Sequence, residues 1–284
     1  MEIEAKGGVA SEVHRAIDAA FEAVAIVHRL MSFHDFDSDV SRLNREAFDR
    51  PIKVHDWTFR VLETAIALHR RSNGIFNVAV APLLQSRGLL PSSNGEVPAD
   101  SVARDAVELL DGQMVRFQHR HVRIDLGGIA KGFAVDQALG ALRKSGEVNG
   151  GLVNAGGDLA AFGTEPQSVH IRHPRDPGRA ACRIEITDEA LASTARRFDP
   201  YHSSDTTSSA IVGPAGGPPV DGIDGVTVRA PTCMIADALT KAVMISGTNA
   251  AGLLELYHAN ALLLSANGDV QISPEWQHAV HLAA

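Results

Sequence analysis

The reading of this chain turns on Ile124-Asp125-Leu126-Gly127-Gly128-Ile129-Ala130-Lys131-Gly132. Val122, Ile124 and Leu126 alternate with Arg123 and Asp125, the period of a half-buried strand. Gly127-Gly128 breaks that period, and a helix is expected from about Ala130 to Lys144. A helix start carries free N–H groups and a partial positive charge, both suited to a phosphate. Glycines let a ligand approach the backbone, and Lys131 can add a point charge to a diphosphate. The same residues would equally make a tight corner carrying a solvated lysine, so both readings stand at this point. The spacing is neither that of a P-loop nor that of the dinucleotide fingerprint.

Upstream, Val13, Ile17, Phe21, Val24, Val27 and Met31 predict an amphipathic helix over 11–31. A short helical turn is expected from Asp37-Ser38-Asp39 through Leu43. A second helix is expected with Asp56 as N-cap and Trp57, Val61, Leu62, Ala65 and Leu68 on it, stopping near Asn73-Gly74. Residues 84–102 read as a surface loop. Downstream, Gly150 to Leu159 reads as a strand entering a Gly-Gly turn, with further strands near 168–172, 181–187 and Val226-Thr227-Val228. Residues 198–222 read as a long loop rich in Ser, Thr, Gly and Pro. A helix over 234–246, another at Leu253–Leu256, and a hairpin at Asn267-Gly268 follow. Strands and helices alternate loosely and no linker interrupts them. The expected class is α+β, one domain over 1–284.

Composition removes several function classes. The net charge is -8 with no basic stripe, so a nucleic-acid footprint is absent. Aromatics at 5% leave no base-stacking platform. No apolar run reaches the ~18 residues of a membrane span. Cys182 and Cys233 form neither a zinc pattern nor a disulfide framework and are expected as buried thiols. The 13 histidines are scattered, without metal-ligand spacing, and His170 and His173 are read as structural. No secretory signal is visible, so the chain as given is expected in the cytoplasm, or in the periplasm if its true N-terminus lies further upstream.

Two further segments can carry chemistry. Asn154-Ala155-Gly156-Gly157-Asp158 puts a carboxylate after two glycines, either as a strand-end turn or as backbone close to a ligand. Asp237 and Lys241 lie four apart on one helix face. Asp237 either complements the helix dipole and pairs with Lys241, or is a hard oxygen ligand for Mg²⁺ beside a diphosphate.

In this order the segments resemble the FAD:protein FMN transferases, once described as thiamine-biosynthesis lipoproteins. The resemblance rests on Met31-Ser32-Phe33-His34 through Asn44, Gly74-Ile75-Phe76-Asn77 through Leu83, Asp125 to Asp136, Asn154 to Asp158, Leu191-Ala192-Ser193-Thr194, and Gly225-Val226-Thr227-Val228 leading to Ala236-Asp237-Ala238-Leu239. It implies mixed sheets with helices, in two intertwined lobes with an FAD cleft between them. Met31, Ser32, Ile75, Phe76, Asn77, Gly127, Lys131, Phe133 and Asp158 would contact the flavin nucleotide. The carbonyl of Ala130 and the carboxylate of Asp237 match metal ligands, with Thr240 as the nearest hydroxyl. The implied reaction transfers FMN from FAD to a Thr or Ser hydroxyl of an acceptor flavoprotein, assisted by Mg²⁺, and releases AMP. The alternatives are a non-catalytic FAD-binding protein, or a pyrophosphatase giving FMN and AMP.

The chain departs from the family pattern at several positions. Asn77 stands where the family has Asp, and Lys241 where it has Thr, which puts an ammonium near the cation's place. Ala210-Ile211-Val212-Gly213-Pro214 replaces a segment that carries His and Asp, the His being a natural base for the acceptor hydroxyl. His202 and Asp205, in the same loop, are the candidate substitutes, and His202, Asp237 and Lys241 form the expected catalytic set. The Gly-Thr pair of the family's first strand is absent, since Met1-Glu2-Ile3-Glu4-Ala5 begins inside that strand.

Overall fold

The computed structural model describes residues 1–91, 105–196, 211–213, 220–265 and 268–282. In chain order the elements are β1 (Glu2–Gly7), α1 (Ala10–Met31), α2 (Asp39–Glu46), β2 (Ile52–Lys53), α3 (Asp56–Arg71), α4 (Ala81–Ser86), β3 (Val107–Leu110) and β4 (Met114–Phe117). There follow α5 (Ala130–Lys144), β5 (Val148–Asn154), β6 (Leu159–Phe162), β7 (Gln167–His173), β8 (Asp176–Ile186), β9 (Ala190–Ala195) and β10 (Ile223–Ala230). The chain closes with α6 (Cys233–Ser246), α7 (Ala251–Leu256), β11 (Asn260–Ser265), β12 (Val270–Ile272) and β13 (Val280–Leu282). The α+β class is as expected: three sheets, antiparallel throughout, with helices packed on them.

A seven-stranded sheet in the order β1-β5-β6-β9-β10-β11-β12 carries α5 and α6 on one face, with α1 packed on α5. Its other face meets the small sheet β13-β8-β7 over Leu159, Ile184, Leu191, Leu262 and the buried Trp276. Alternation along β7, with Val169 and Ile171 buried between exposed neighbours, fits a sheet with one wet face. Cys182 and Cys233 are both buried, as expected for structural thiols. The largest core cluster runs without a break from Leu43, Leu62 and Phe117 to Leu239 and Val228. The sheet β2-β4-β3 with α2 and α3 is thus tied to the main sheet by one continuous apolar contact.

Several sequence expectations are corrected. The buried stripe of α1 is Ala16, Ala20, Ala23, Val27 and Met31, while Phe21 is exposed. Small alanines let α1 approach α5, where Ala138, Leu139 and Leu142 receive it. Helix α3 is capped by His55, whose Nδ1 accepts from the Trp57 N–H at 3.1 Å, rather than by Asp56. The expected loop at 84–102 begins later, because Pro82 starts the short α4, whose Leu83 and Leu84 are buried. Most of 198–222 and the Asn267 turn lie outside the described residues.

The alternation at 122–126 is real, since Val122, Ile124 and Leu126 are buried, but no strand pairs with it. Its backbone is satisfied otherwise. The Asn44 side chain donates to the Ile124 carbonyl at 2.9 Å and accepts the Ile124 N–H at 2.7 Å, while Asp125 N–H donates to the Val78 carbonyl at 2.9 Å. A buried carboxamide thus does the work of a neighbouring strand, because a buried backbone pair must find partners somewhere. Helix α2, which carries Asn44, is itself fixed through Asp39. That carboxylate accepts from the His55 N–H and the Thr58 hydroxyl, both at 2.8 Å, at the head of α3.

Candidate functional site

The glycine turn at 127–128 delivers the chain into α5 beside α6, and the two helices cap one another. Asp136 on α5 accepts the N–H groups of Cys233 and Met234, at 2.8 and 2.9 Å, in the first turn of α6. Asp237 on α6 accepts the N–H of Gly132 at 3.0 Å in the first turn of α5. Each carboxylate meets the positive end of the other helix. The approach requires a glycine: a Cβ at 132 would sit 2.2 Å from the Cys233 carbonyl oxygen. Burial pushes the Asp136 carboxyl up to about 6, against its two N–H partners.

Two lysines balance the buried carboxylates. Lys131 reaches Asp158, and Lys241 reaches Asp237 from one turn further along α6. Asp158 is placed by Gly156 and Gly157, whose φ values of +74° and +107° turn β5 into β6. The Asn154 side chain accepts the Gly157 N–H inside that turn, at 3.0 Å. Asp158 and Asp237 are fully buried, and among the described residues Asp158 Oδ1 has no hydrogen-bond partner. Burial, then the Asp237 charge, push the Asp158 carboxyl up, and both ammonium groups oppose this. Two carboxylates and two ammonium groups therefore form one nearly neutral cluster under the glycine turn.

Above the cluster opens a cavity of about 660 Å³. Its wall includes the apolar Val27, Met31, Phe33, Ile75, Leu84 and Ile211. It also includes Asp125, Gly127, Gly128, Lys131 and Lys241, with Ser193 and Thr194 of β9. An apolar volume of this size with a few convergent polar groups is the usual form of a small-molecule site. Burial pushes the Asp125 carboxyl upward, opposed by the Gly127 N–H and by His34, which also lines the cavity.

The cavity brings together Met31, Ser32, Ile75, Phe76, Asn77, Gly127, Ala130, Lys131 and Lys241 from four separate stretches of sequence. Asn77 Oδ1 accepts the Ala79 N–H at 2.8 Å, which holds the turn that presents it. Phe133, Asp158, Asp237 and Thr240 do not line the cavity. Phe133 is a core residue edge-on to Trp57, with ring centroids 6.0 Å apart. Thr240 is fully buried and donates to the Asp237 carbonyl at 2.7 Å. His202 lies outside the described residues. Phe33, His34 and Asp125 were not singled out from sequence, although all three lie inside the quoted segments. The pairing of Gly132 with Asp237, and of Asp136 with the start of α6, had no local signal at all.

Comparison with known proteins places this architecture. A family model described as the ApbE family matches residues 1–263. The chain belongs to the ApbE family. It is 28% identical over 235 residues to the FAD:protein FMN transferase of Vibrio cholerae, covering 78% of this chain and 70% of that one. It is 27% identical over 271 residues to the protein of the same name from Haemophilus influenzae, covering 88% and 77%. In structure it resembles the ApbE protein of Thermotoga maritima, with TM-score 0.82, 23% identity and coverage of 98% and 94%. The apo flavinyl transferase ApbE of Pseudomonas stutzeri gives TM-score 0.78 at 21% identity, covering 98% and 91%. This ApbE-family chain therefore shares their fold of mixed helices and antiparallel sheets.

The divalent cation implied by the resemblance does not fit the residues as they stand in this ApbE-family chain. One oxygen of Asp237 is taken by the Gly132 N–H and the other by the Lys241 ammonium. The Thr240 hydroxyl is turned into its own helix. Only the Ala130 residue, on the cavity wall, remains near a ligand's reach. Among the described residues no group of three or more His, Cys, Asp or Glu could hold a metal.

Proposed function

We propose that this chain transfers the FMN part of FAD to a Ser or Thr hydroxyl of an acceptor flavoprotein and releases AMP. The observation that carries the reading is the cavity itself, whose wall combines apolar side chains with Lys131, Lys241 and a glycine turn. The apolar wall of Met31, Phe33 and Ile75 suits an isoalloxazine ring. Lys131 and Lys241 suit a diphosphate. Membership of the family, and relatives named FAD:protein FMN transferase, support the same substrate.

In the proposed reaction the acceptor oxygen attacks the phosphorus of the FMN half. The bond from that phosphorus to the oxygen bridging it to AMP breaks, the leaving AMP takes the electron pair, and the hydroxyl proton is lost. Phosphoryl transfer of this kind needs positioning and charge stabilisation more than covalent help from the protein. Lys131 and Lys241 face the developing charge on the equatorial and leaving oxygens. Asp158 and Asp237 hold those ammonium groups in place, and the Gly132 N–H fixes Asp237.

The test is mass spectrometry of a flavoprotein domain bearing a Ser/Thr motif, incubated with the chain and FAD. The expected product is the acceptor plus one FMN, with AMP in solution. Free FMN and AMP with an unmodified acceptor would instead make the chain a pyrophosphatase. Bound, intact FAD would make it a flavin-binding module.

A further inference from the structure

We infer that the Lys241 ammonium is the resident cation of this site, so that the chain handles its nucleotide without a divalent metal. The inference rests on the FAD reading for the identity of the nucleotide, and on the geometry alone for the exclusion of metal. Lys241 caps the carboxylate of Asp237, whose second oxygen is already held by the Gly132 N–H. Its side chain is 17% exposed, so most of its stem is packed while it still reaches the cavity. A Cβ placed on Gly128 would lie 3.7 Å from the Lys241 Cε, which puts the stem of the lysine against the glycine turn at the head of α5. The ammonium is thereby fixed between a buried carboxylate and the backbone suited to phosphate.

The charge balance points the same way. Asp158 and Asp237 are each paired with an ammonium group, of Lys131 and Lys241, so neither carboxylate offers a divalent ion an unpaired charge. Asp158 Oδ1, which has no hydrogen-bond partner among the described residues, belongs to a carboxylate whose other oxygen carries Lys131. A lysine in place of a metal supplies a fixed positive charge to the diphosphate, with none of the ligand exchange a hydrated ion requires.

The test uses the intact chain and two readouts. Mn²⁺ binding is followed by the loss of the free-ion paramagnetic resonance signal, with and without FAD, and FAD affinity is measured by flavin fluorescence in chelator and in Mg²⁺. Wild type is expected to take up no stoichiometric Mn²⁺ and to bind FAD equally, within about twofold, in both media. Lys241→Thr is expected to lose about tenfold in FAD affinity in chelator, to recover it with Mg²⁺, and to bind one Mn²⁺ per chain. Lys241→Gln, closer in length, serves if the threonine variant does not fold, and should likewise lose affinity in chelator. One Mn²⁺ per wild-type chain, or chelator-sensitive FAD binding by wild type, would overturn the inference. So would a folded position-241 variant with wild-type affinity in chelator. A wild type that binds neither FAD nor Mn²⁺ would overturn the flavin reading while leaving the exclusion of metal upheld.

Discussion

Replacing Gly132 by alanine tests how the site is held together. In an unencumbered helix the change stabilises by about 1 kcal/mol, because glycine loses more backbone freedom on folding. Here the added Cβ would meet the Cys233 carbonyl oxygen at 2.2 Å, its carbon at 2.6 Å and the Asp237 Cβ at 2.8 Å. Two of these are backbone atoms and cannot rotate away, so α5 and α6 must part. Overpacking of this kind costs about 1–3 kcal/mol. Parting also weakens the Gly132 N–H bond to the Asp237 carboxylate, a charge-assisted contact of about 1.5–3 kcal/mol. The net expectation is a destabilisation of about 3 kcal/mol. Gly140, two turns along the same helix, provides the control: a Cβ there meets nothing within 4 Å. Gly140→Ala should therefore stabilise by about 0.5–1 kcal/mol. With a urea slope of about 3 kcal/mol/M, the two unfolding midpoints should lie about 1 M apart on opposite sides of wild type. A Gly132→Ala variant that unfolds at or above the wild-type midpoint would refute the close approach of α5 to α6, and with it the placement of Asp237.

Other positions are open to similar tests. Asn44→Ala leaves the buried N–H and C=O of Ile124 without partners and should cost about 3 kcal/mol in chemical denaturation; a loss under about 1 kcal/mol would show that water replaces the amide. Asn44→Asp should do no better, since a carboxylate can accept the Ile124 N–H but not donate to its carbonyl. The Asp136 carboxyl titrates near 6 in the folded chain against 3.8 ordinarily, so the folded state binds more protons than the unfolded state between those values. Its contribution is favourable at low pH and is lost as pH rises through about 6. The stability of wild type relative to Asp136→Asn should fall between pH 4.5 and 7, by up to about 1.4 kcal/mol per unit. A difference that stays flat across that range would mean the carboxyl is not held high.

The chain by itself determined the long helices, the strands near 168–172, 181–187 and 226–228, the segments that pair as β11 and β12, and the glycine turn into α5. It also determined the set of short segments that meet at the cavity. These are local matters: a 3.6-residue period, a Gly-Gly pair or a Pro at a helix start acts within a few residues. Helix α5 begins at Ala130 as the glycines require, and Met31, Asn77 and Lys131 of the motif segments line the cavity.

Only the tertiary structure decided which residues face a ligand and which face the core. Val122, Ile124 and Leu126 have the pattern of a strand, yet their backbone partners come from Asn44 and Val78, far off in sequence. Phe133 and Lys131 are two residues apart, yet one is buried against Trp57 and the other reaches the cavity. Asp237 and Thr240 share a helix with Lys241, but only the lysine lines the opening. The reciprocal caps between α5 and α6 depend on a backbone approach of a few ångströms that a glycine permits but cannot announce. Periodicity fixes the face of a helix, whereas the neighbour on that face, and the charge it brings, is fixed only when distant segments pack.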